Sequence, residues 1–308
     1  MSYARYHFGS LRELLDFASD ARAVSPVNLD AWHSHYHGAG LDPTFYSTAA
    51  PLPEVALVLA RGWPEGVATM RADIGVISAP RIHSVRRRAQ WGDQGDSVDL
   101  GRMYAGQFQT AFRAARRSVW GQPPRIRIVC STATPHTVAA ADMMWRGASA
   151  ATLAEALIVA GYMVEIDAVY VVEGLHARIQ HVELKSSYYV DTSRAASPDE
   201  AIRLHVFVLR VKSFDAPFAL GTTTAVLAHP AMVRRVMFCV TLRAAEETVR
   251  TNLGYVIPIQ AVEDVRAYDI ARVAPAERVI VVPPSILSAV DANVWLRECI
   301  ASLESIGA

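Results

Sequence analysis

Three features are scarce in this sequence: cysteine, a surplus of charge of either sign, and long apolar runs. The three cysteines, Cys130, Cys239 and Cys299, are an odd and widely spaced set, which suits a reducing compartment better than a disulfide framework. The 30 basic and 30 acidic residues give a formal net charge of zero, so the whole chain has no pull toward nucleic acid or anionic lipid. No stretch reaches the roughly 18 uninterrupted apolar residues of a membrane span, and the first residues lack the apolar core of a signal peptide. We therefore expect no membrane association and a cytoplasmic location.

The sequence has enough apolar residues for a sizeable core, since hydrophobic residues make up 52% of the 308 positions.

The pattern changes at the GQPP stretch, residues 121–124, which predicts two regions. Region 1–121 is helical and rich in loops, with an apolar-faced helix predicted at 11–22 and a second helix that begins with proline at 51 and ends at Gly62. Because the apolar faces of these helices need a cover, we expect region 1–121 to pack on region 122–308.

Region 122–308 alternates between strand and helix patterns. Strands are predicted at 125–131, 162–174, 177–190, 236–242 and 277–284, and helices at 137–161, 197–209 (after the cap residue Ser197) and 288–305. A short glycine-containing turn separates strands 162–174 and 177–190, which predicts an antiparallel pair. The order predicts an α/β fold with a mostly parallel sheet, one antiparallel edge strand and flanking helices.

This order of elements, and the polar turn after the strand at 125–131, resemble the von Willebrand factor A fold. The sheet of that family is parallel except for one short edge strand. Its first strand ends in Asp-x-Ser-x-Ser, and a threonine from a later loop and an aspartate after a later central strand complete a site for Mg²⁺ or Mn²⁺. The resemblance implies a von Willebrand A-like α/β domain over region 122–308.

A second resemblance rests on four idiosyncratic stretches. These are GWPEG (62–66), QWGDQG…VDLGRMYAG (90–106), WRGASAATLAEALIVAGYMVEI (145–166) and HPAMVRRVMF (229–238). Together they resemble an uncharacterised family from tailed bacteriophages and bacteria. This likeness implies kinship and a phage-related setting, in the bacterial cytoplasm or with the virion, but no activity.

The metal motif is degenerate in this chain. Its aspartate falls on Cys130, and its two serines fall on Thr132 and Thr134. The later threonine would be Thr222, Thr223 or Thr224. Where the second aspartate belongs, the sequence has Thr241, Leu242 and Arg243. Mg²⁺ is usually held through one or two carboxylates, and no aspartate occurs from 126 to 141. We therefore expect no metal and no other cofactor.

The candidate partner surface is the end of the sheet at this turn, around residues 131–136, 221–224 and 241–246, because ligands of open α/β sheets collect beyond the carboxyl ends of the strands. The candidate residues are Cys130, Ser131, Thr132, Thr134, His136, Thr222, Thr223 and Thr241. The function expected from this analogy is that of a non-enzymatic protein-interaction or assembly protein. Its partner would be another protein, encoded by a phage if the second resemblance holds.

Two alternatives stay open. A hydrolase or transferase could use the turn, with Cys130 as nucleophile and His136 as base. Nucleic-acid or virion-assembly binding could use the arginine runs at 86–88 and 113–117, which lie near Trp91 and Trp120. The neutral overall charge favours solvated faces or salt bridges for these runs, so nucleic acid is the less favoured partner.

Overall fold

The structure is a computed structural model, and it divides into two compact units. The sheet unit comprises Met1–Pro80 and Arg125–Ala308, and the small unit comprises Arg81–Pro124. The sheet unit thus joins segments from both sides of the boundary expected at residue 121. The residues that the structure describes are 3–19, 47–48, 50–75, 77–79, 91–93, 97–113, 123–134, 137–177, 189–191, 202–245, 262–267 and 277–307.

Strands and helices alternate over most of the described chain. In chain order they are β1 (Tyr3–Phe8), α1 (Leu11–Ser19), α2 (Leu52–Arg61), α3 (Pro64–Ile74), β2 (Trp91–Gly92), β3 (Ser97–Val98), α4 (Leu100–Tyr104), β4 (Phe112–Arg113), β5 (Arg125–Ser131), α5 (Ala140–Val159), β6 (Met163–Ala177), β7 (Tyr189–Asp191), β8 (Ile202–Lys212), α6 (Leu220–Ala228), α7 (Phe238–Ala245), α8 (Val262–Ala267), β9 (Glu277–Val282) and α9 (Ala289–Gly307). A 3₁₀ turn, Phe108–Thr110, precedes β4, and a π-helical stretch, Met232–Met237, runs directly into α7. Among the described helices, none has the length and apolar character needed to cross a membrane.

The sheet unit is built on a six-stranded sheet with the order β7-β1-β8-β6-β5-β9. The pairings of β1 with β8, β5 with β6 and β5 with β9 are parallel, which confirms the expected α/β class and mostly parallel sheet. The edge strand β7 is antiparallel to β1, and β6 is antiparallel to β8 in the middle of the sheet. As a result, the carboxyl ends of β5, β6 and β9 lie on one side of the sheet, and the carboxyl ends of β8 and β1 lie on the opposite side.

Over part of their length, β5 and β6 are apolar on both faces. On one face, Ile128 and Cys130 of β5 join the main core, which helices α1 to α3, α5 to α7 and α9 cover. On the other face, Val129 and Val169 form a second cluster with Val265 of α8. A strand segment buried on both faces has no polar side, which is why residues 128–130 of β5 and 168–172 of β6 appear in the sequence as continuous apolar runs.

Two predictions of secondary structure are wrong: one predicted helix is a strand, and one predicted strand is helical. The helix predicted at 197–209 is largely strand, since Ile202–Lys212 form β8, and the strand predicted at 236–242 is π-helical and then α-helical. In β8, Phe207 faces the main core and its neighbour Val208 the second cluster, as strand alternation requires. The 236–242 run is apolar on all sides, so it carries no period that separates a helix from a strand.

The antiparallel partner of β6 also differs from the expectation. We predicted that 162–174 would pair with 177–190, but β6 pairs with β8 from Ile166 opposite Lys212 to Ala177 opposite Ile202. Residues 178–188 of the expected partner strand lie outside the described residues.

The N-terminal segment contributes a strand as well as helices. β1 lies inside the sheet between β7 and β8, and the Tyr6 and Phe207 rings stack with their centroids 4.8 Å apart. Helix α1 packs against β8 and α7, and α2 packs against α6. The sequence predicts only helices and loops in this segment.

The substitution Leu157→Ala is expected to lower the free energy of unfolding by about 2–5 kcal/mol, because it leaves a cavity under α5. Leu157 is fully buried in the main core. Val159→Ala is a control on the same helix: its side chain is 81% exposed, so a change within about 0.5 kcal/mol is expected. Urea denaturation followed by circular dichroism measures both, and equal midpoints for the two variants would contradict the packing of α5.

Candidate functional site

The turn after β5 is buried, and its two threonine hydroxyls are bonded to backbone. Ser131, Thr132 and Thr134 are all less than one-tenth exposed. The Thr132 hydroxyl donates to the Val169 carbonyl oxygen at 3.2 Å, and the Thr134 hydroxyl donates to the Thr132 carbonyl oxygen at 3.3 Å. These hydroxyls therefore hold the turn against β6 and against itself.

A buried arginine that was not among the predicted site residues fills the turn. Arg146 of α5 donates through Nη1 to the carbonyl oxygens of Ser131 at 2.7 Å and Ala133 at 2.6 Å, and through Nη2 to the Thr134 hydroxyl at 3.0 Å. Burial lowers the pKa of Arg146, and the nearby Cys130 thiol opposes that shift. An arginine nonetheless keeps its charge in proteins, so a cation occupies the centre of the turn.

The spacing of residues in α5 indicates from the sequence that Arg146 lies on the buried face of the helix. It is the only basic residue of α5, and steps of four, seven and eleven residues align it with Ala150, Leu153 and Leu157. All three of these residues are buried, so helical spacing places Arg146 on the inward face. A lone arginine on an otherwise apolar helical face marks a buried polar contact.

Cys130 is poorly suited to nucleophilic chemistry. Its side chain is fully buried, and burial raises the pKa of the thiol to about 12, with Arg146 acting in the opposite direction. The reactive form of a cysteine is the thiolate, which this environment suppresses at neutral pH. His136, the base considered for Cys130, lies outside the described residues.

Two of the three later threonines, Thr222 and Thr223, lie apart from the turn. Thr222 and Thr223 lie in α6 and line a cavity of about 80 Å³ together with Lys212, at the end of β8. Because β8 runs antiparallel to β6, and β6 is parallel to β5, the carboxyl ends of β8 and β5 lie on opposite sides of the sheet. Thr241 lies within α7, where its hydroxyl donates to the Met237 carbonyl oxygen at 2.7 Å. The structure therefore brings together Cys130, Ser131, Thr132 and Thr134, and it places Thr222 and Thr223 apart from them.

A cavity of about 10 Å³ adjoins the turn. Its lining residues are Ser131, Thr132, Thr134, Met143, Arg146, Leu227, Ala228, His229, Pro230 and Val233. His229 accepts a hydrogen bond at Nδ1 from the Ala231 N–H at 3.1 Å, and its ring meets the edge of Trp63. Burial lowers the pKa of His229 to about 4, against an opposing effect of Glu65, so the ring is neutral at pH 7.

The donor set at the turn does not suit a divalent cation. Within the described residues, no group of three or more histidine, cysteine, aspartate or glutamate side chains could hold a metal ion. The carbonyl oxygens of Ser131 and Ala133 already accept from a guanidinium group. A divalent ion at this turn would meet a positive charge without a carboxylate to offset it.

We accordingly expect calorimetric titration of the full-length protein with Mg²⁺ or Mn²⁺ at millimolar concentration to show no saturable heat. The matched variant replaces Thr132 and Thr134 together by alanine, which removes both hydroxyl ligands of the degenerate motif. Saturable binding by the wild-type protein that this variant abolishes would contradict the prediction.

Comparison with known proteins identifies the family of the chain. No curated protein and no solved structure matches it. A family model described as a domain of unknown function (DUF7192) matches residues 2–294. The matched range includes the turn after β5, Arg146 and the whole small unit. Because the match spans nearly the full length, the chain belongs to the DUF7192 family.

Proposed function

We propose that this protein is a non-enzymatic interaction protein whose small unit docks an acidic segment of another protein. The proposal rests on where exposed apolar side chains are concentrated. Of the ten large apolar side chains that are exposed among the described residues, five lie within residues 98–108. Clustered apolar exposure of this kind is typical of interaction sites on soluble proteins. We call residues 98–108 the docking segment.

Hydrogen bonds within the small unit order the docking segment. The Asp99 carboxylate accepts from the backbone N–H of Arg102 at 3.2 Å and caps α4. The Arg102 guanidinium donates to the Thr110 carbonyl oxygen at 3.3 Å, and the Gln107 N–H donates to the Arg102 carbonyl oxygen at 2.9 Å. Because these bonds already fix the backbone, docking costs little conformational entropy.

The charge of the small unit favours an acidic partner. Residues 81–124 contain eight arginines, three aspartates and no lysine or glutamate, a net charge of +5 in a chain whose total is zero. A net positive charge attracts acidic partners over a Debye length and raises the rate of encounter.

The apolar side chains favour protein over nucleic acid as that acidic partner. Nucleic-acid bases stack on aromatic rings, of which the docking segment exposes Tyr104 and Phe108. It also exposes Val98, Leu100 and Met103, which offer no stacking face and are typical of surfaces that a protein buries. An acidic segment that also carries apolar residues would satisfy both sets.

The turn after β5 supports a role without catalysis. Its two threonine hydroxyls donate to backbone carbonyl oxygens, and its one thiol is buried with a raised pKa. The hydrolase or transferase alternative needs a reactive nucleophile, and a buried thiol with a raised pKa is a poor one.

A phage-encoded partner is part of the proposal, and its support is the resemblance of four stretches to a family of tailed bacteriophages and bacteria. The von Willebrand A likeness supports the proposal only in part. It fits the parallel group β6, β5 and β9 with the helix that follows the first turn, whereas β8 runs in the opposite direction.

The test is site-specific photocrosslinking with the full-length protein in host extract. Tyr104, 88% exposed, is replaced by p-benzoylphenylalanine, and the crosslinked peptide is sequenced by mass spectrometry. We expect an acidic peptide that contains apolar residues. The same photoreactive group at Val290, 71% exposed on α9, is the control and should not capture that peptide.

A synthetic peptide of the captured sequence then tests the docking segment directly. Replacing Leu100 and Met103 together by serine is expected to weaken binding at least about tenfold, whereas the control pair Val290→Ser and Val294→Ser leaves it unchanged. Capture of nucleic acid or of a basic peptide, equal capture from Val290, or no capture at Tyr104 would overturn the proposal.

A further inference from the structure

We infer that the turn after β5 is an anion site, in which Arg146 holds one oxygen of a carboxylate or phosphate group. This inference concerns the sheet unit and does not depend on the proposed docking segment. The ion has the opposite sign from the one that the metal motif binds, because the turn has Cys130 where the motif has aspartate, and the Arg146 guanidinium group fills it.

Arg146 is a buried cation whose hydrogen-bond partners are all neutral. Its side chain is only 3% exposed, and its three hydrogen bonds go to neutral oxygens, the carbonyls of Ser131 and Ala133 and the hydroxyl of Thr134. In the described part of the chain, no carboxylate forms an ion pair with it. A buried cation that lacks a counter-charge is unfavourable, so an anion that reaches it gains a strong interaction.

The turn also supplies hydrogen-bond donors. The Nε atom of Arg146 and the hydroxyl of Ser131 are buried and have no hydrogen-bond partner among the described residues. Both residues line the 10 Å³ cavity that adjoins the turn. A guanidinium N–H can only donate, and a serine hydroxyl donates readily, so an oxyanion satisfies both groups.

The other residues that line the cavity also favour a negatively charged group. His229 accepts at Nδ1 from the Ala231 N–H, so its ring proton is assigned to Nε2, which adds a further donor. Met143 of the first turn of α5 also lines the cavity, and no side chain caps that helix at Ala139. The positive end of the helix dipole therefore adds to the field of Arg146. None of the lining residues is acidic.

The size of the cavity sets the kind of anion. A volume of about 10 Å³ corresponds to one water-sized group. The cavity therefore admits a single oxygen of an oxyanion, while the remainder of the ligand lies outside it. Acetate and inorganic phosphate are the simplest probes that present such an oxygen.

The test is calorimetric titration of the full-length protein with sodium acetate and, separately, with sodium phosphate at constant ionic strength and pH 7. We expect saturable binding of at least one probe, and the tighter of the two identifies the ligand as a carboxylate or a phosphate. Ser131→Ala should weaken binding about fivefold, which is the effect of losing one hydrogen bond. Arg146→Lys keeps the charge but removes Nε, and should weaken binding further.

Ser149→Ala is the matched control. Ser149 is a buried serine of α5 whose hydroxyl donates to the Trp145 carbonyl oxygen at 2.8 Å, and it does not line the cavity. Its loss should leave the affinity unchanged. Heat that does not saturate, or saturable binding that Ser131→Ala and Arg146→Lys leave at wild-type strength, would overturn the inference. If Arg146→Lys does not fold, the comparison of Ser131→Ala with Ser149→Ala decides alone.

Discussion

A chain that begins at residue 11 is expected to lose its cooperative unfolding transition. The deletion removes β1, which lies inside the six-stranded sheet with β7 on one side and β8 on the other. β1 pairs with β8 from Tyr3 opposite Leu204 to Phe8 opposite Leu209. Without it, the backbone N–H and C=O groups along one side of β8 have no strand to bond, and the sheet gains an open edge.

The side chains of β1 make the expected loss large. Tyr6 and Phe8 are 5% and 1% exposed, and both belong to the main core. Removing one buried aromatic side chain costs about 3–5 kcal/mol. Two of them, together with the lost strand pairing, are comparable with the entire stability of a typical domain, about 5–15 kcal/mol.

Urea denaturation followed by circular dichroism measures the effect, and a matched pair of point variants calibrates it. Phe8→Ala should lower the free energy of unfolding by about 3–5 kcal/mol. Phe108→Ala makes the same chemical change at a side chain that is 59% exposed, and should stay within about 0.5 kcal/mol. A deletion variant that unfolds cooperatively at the urea concentration of the full chain would place β1 outside the folded core.

Elements with a strong local signal could be predicted from the sequence. The helix predicted at 137–161 is α5, and Gly161, with a φ of 98°, adopts just after it a conformation that favours glycine. The strands predicted at 125–131 and 277–284 are β5 and β9. In each case the residues that define the element and those that end it are close in the sequence.

Strand direction and the N-terminal strand could not be predicted in the same way. β1 alternates Tyr6 and Phe8 with the polar Arg5 and His7, but an alternation confined to six residues is a weak signal. The direction of β8 depends on its pairing with β6, which no local pattern encodes. That direction separates Thr222 and Thr223 from the turn, so the part of the candidate site that depended on distant segments did not assemble.

The contact between α5 and α6 leads us to expect that a glycine-to-alanine change in α5 destabilises the protein, although helix propensity alone predicts stabilisation. An alanine in place of a glycine inside a helix usually stabilises it by about 1 kcal/mol. Gly147→Ala in α5 is instead expected to lower the free energy of unfolding by about 3 kcal/mol or more. A Cβ atom on Gly147 would lie 2.6 Å from the backbone nitrogen of Ala228, and closer still to the carbonyl group of Leu227.

The reason is that α5 and α6 meet there through backbone atoms, which cannot rotate away as a side chain can. The two helices would have to separate along their length, which would loosen the core around Leu153 and Leu157. The control is Ala141→Gly at an exposed position of the same helix, which exchanges the same two residue types and should cost only about 0.5–1 kcal/mol. Thermal denaturation measures both variants. A Gly147→Ala protein that melts at or above the wild-type temperature would mean that the two helices are not in backbone contact, and Leu227 and Ala228 would then no longer close the cavity beside Arg146.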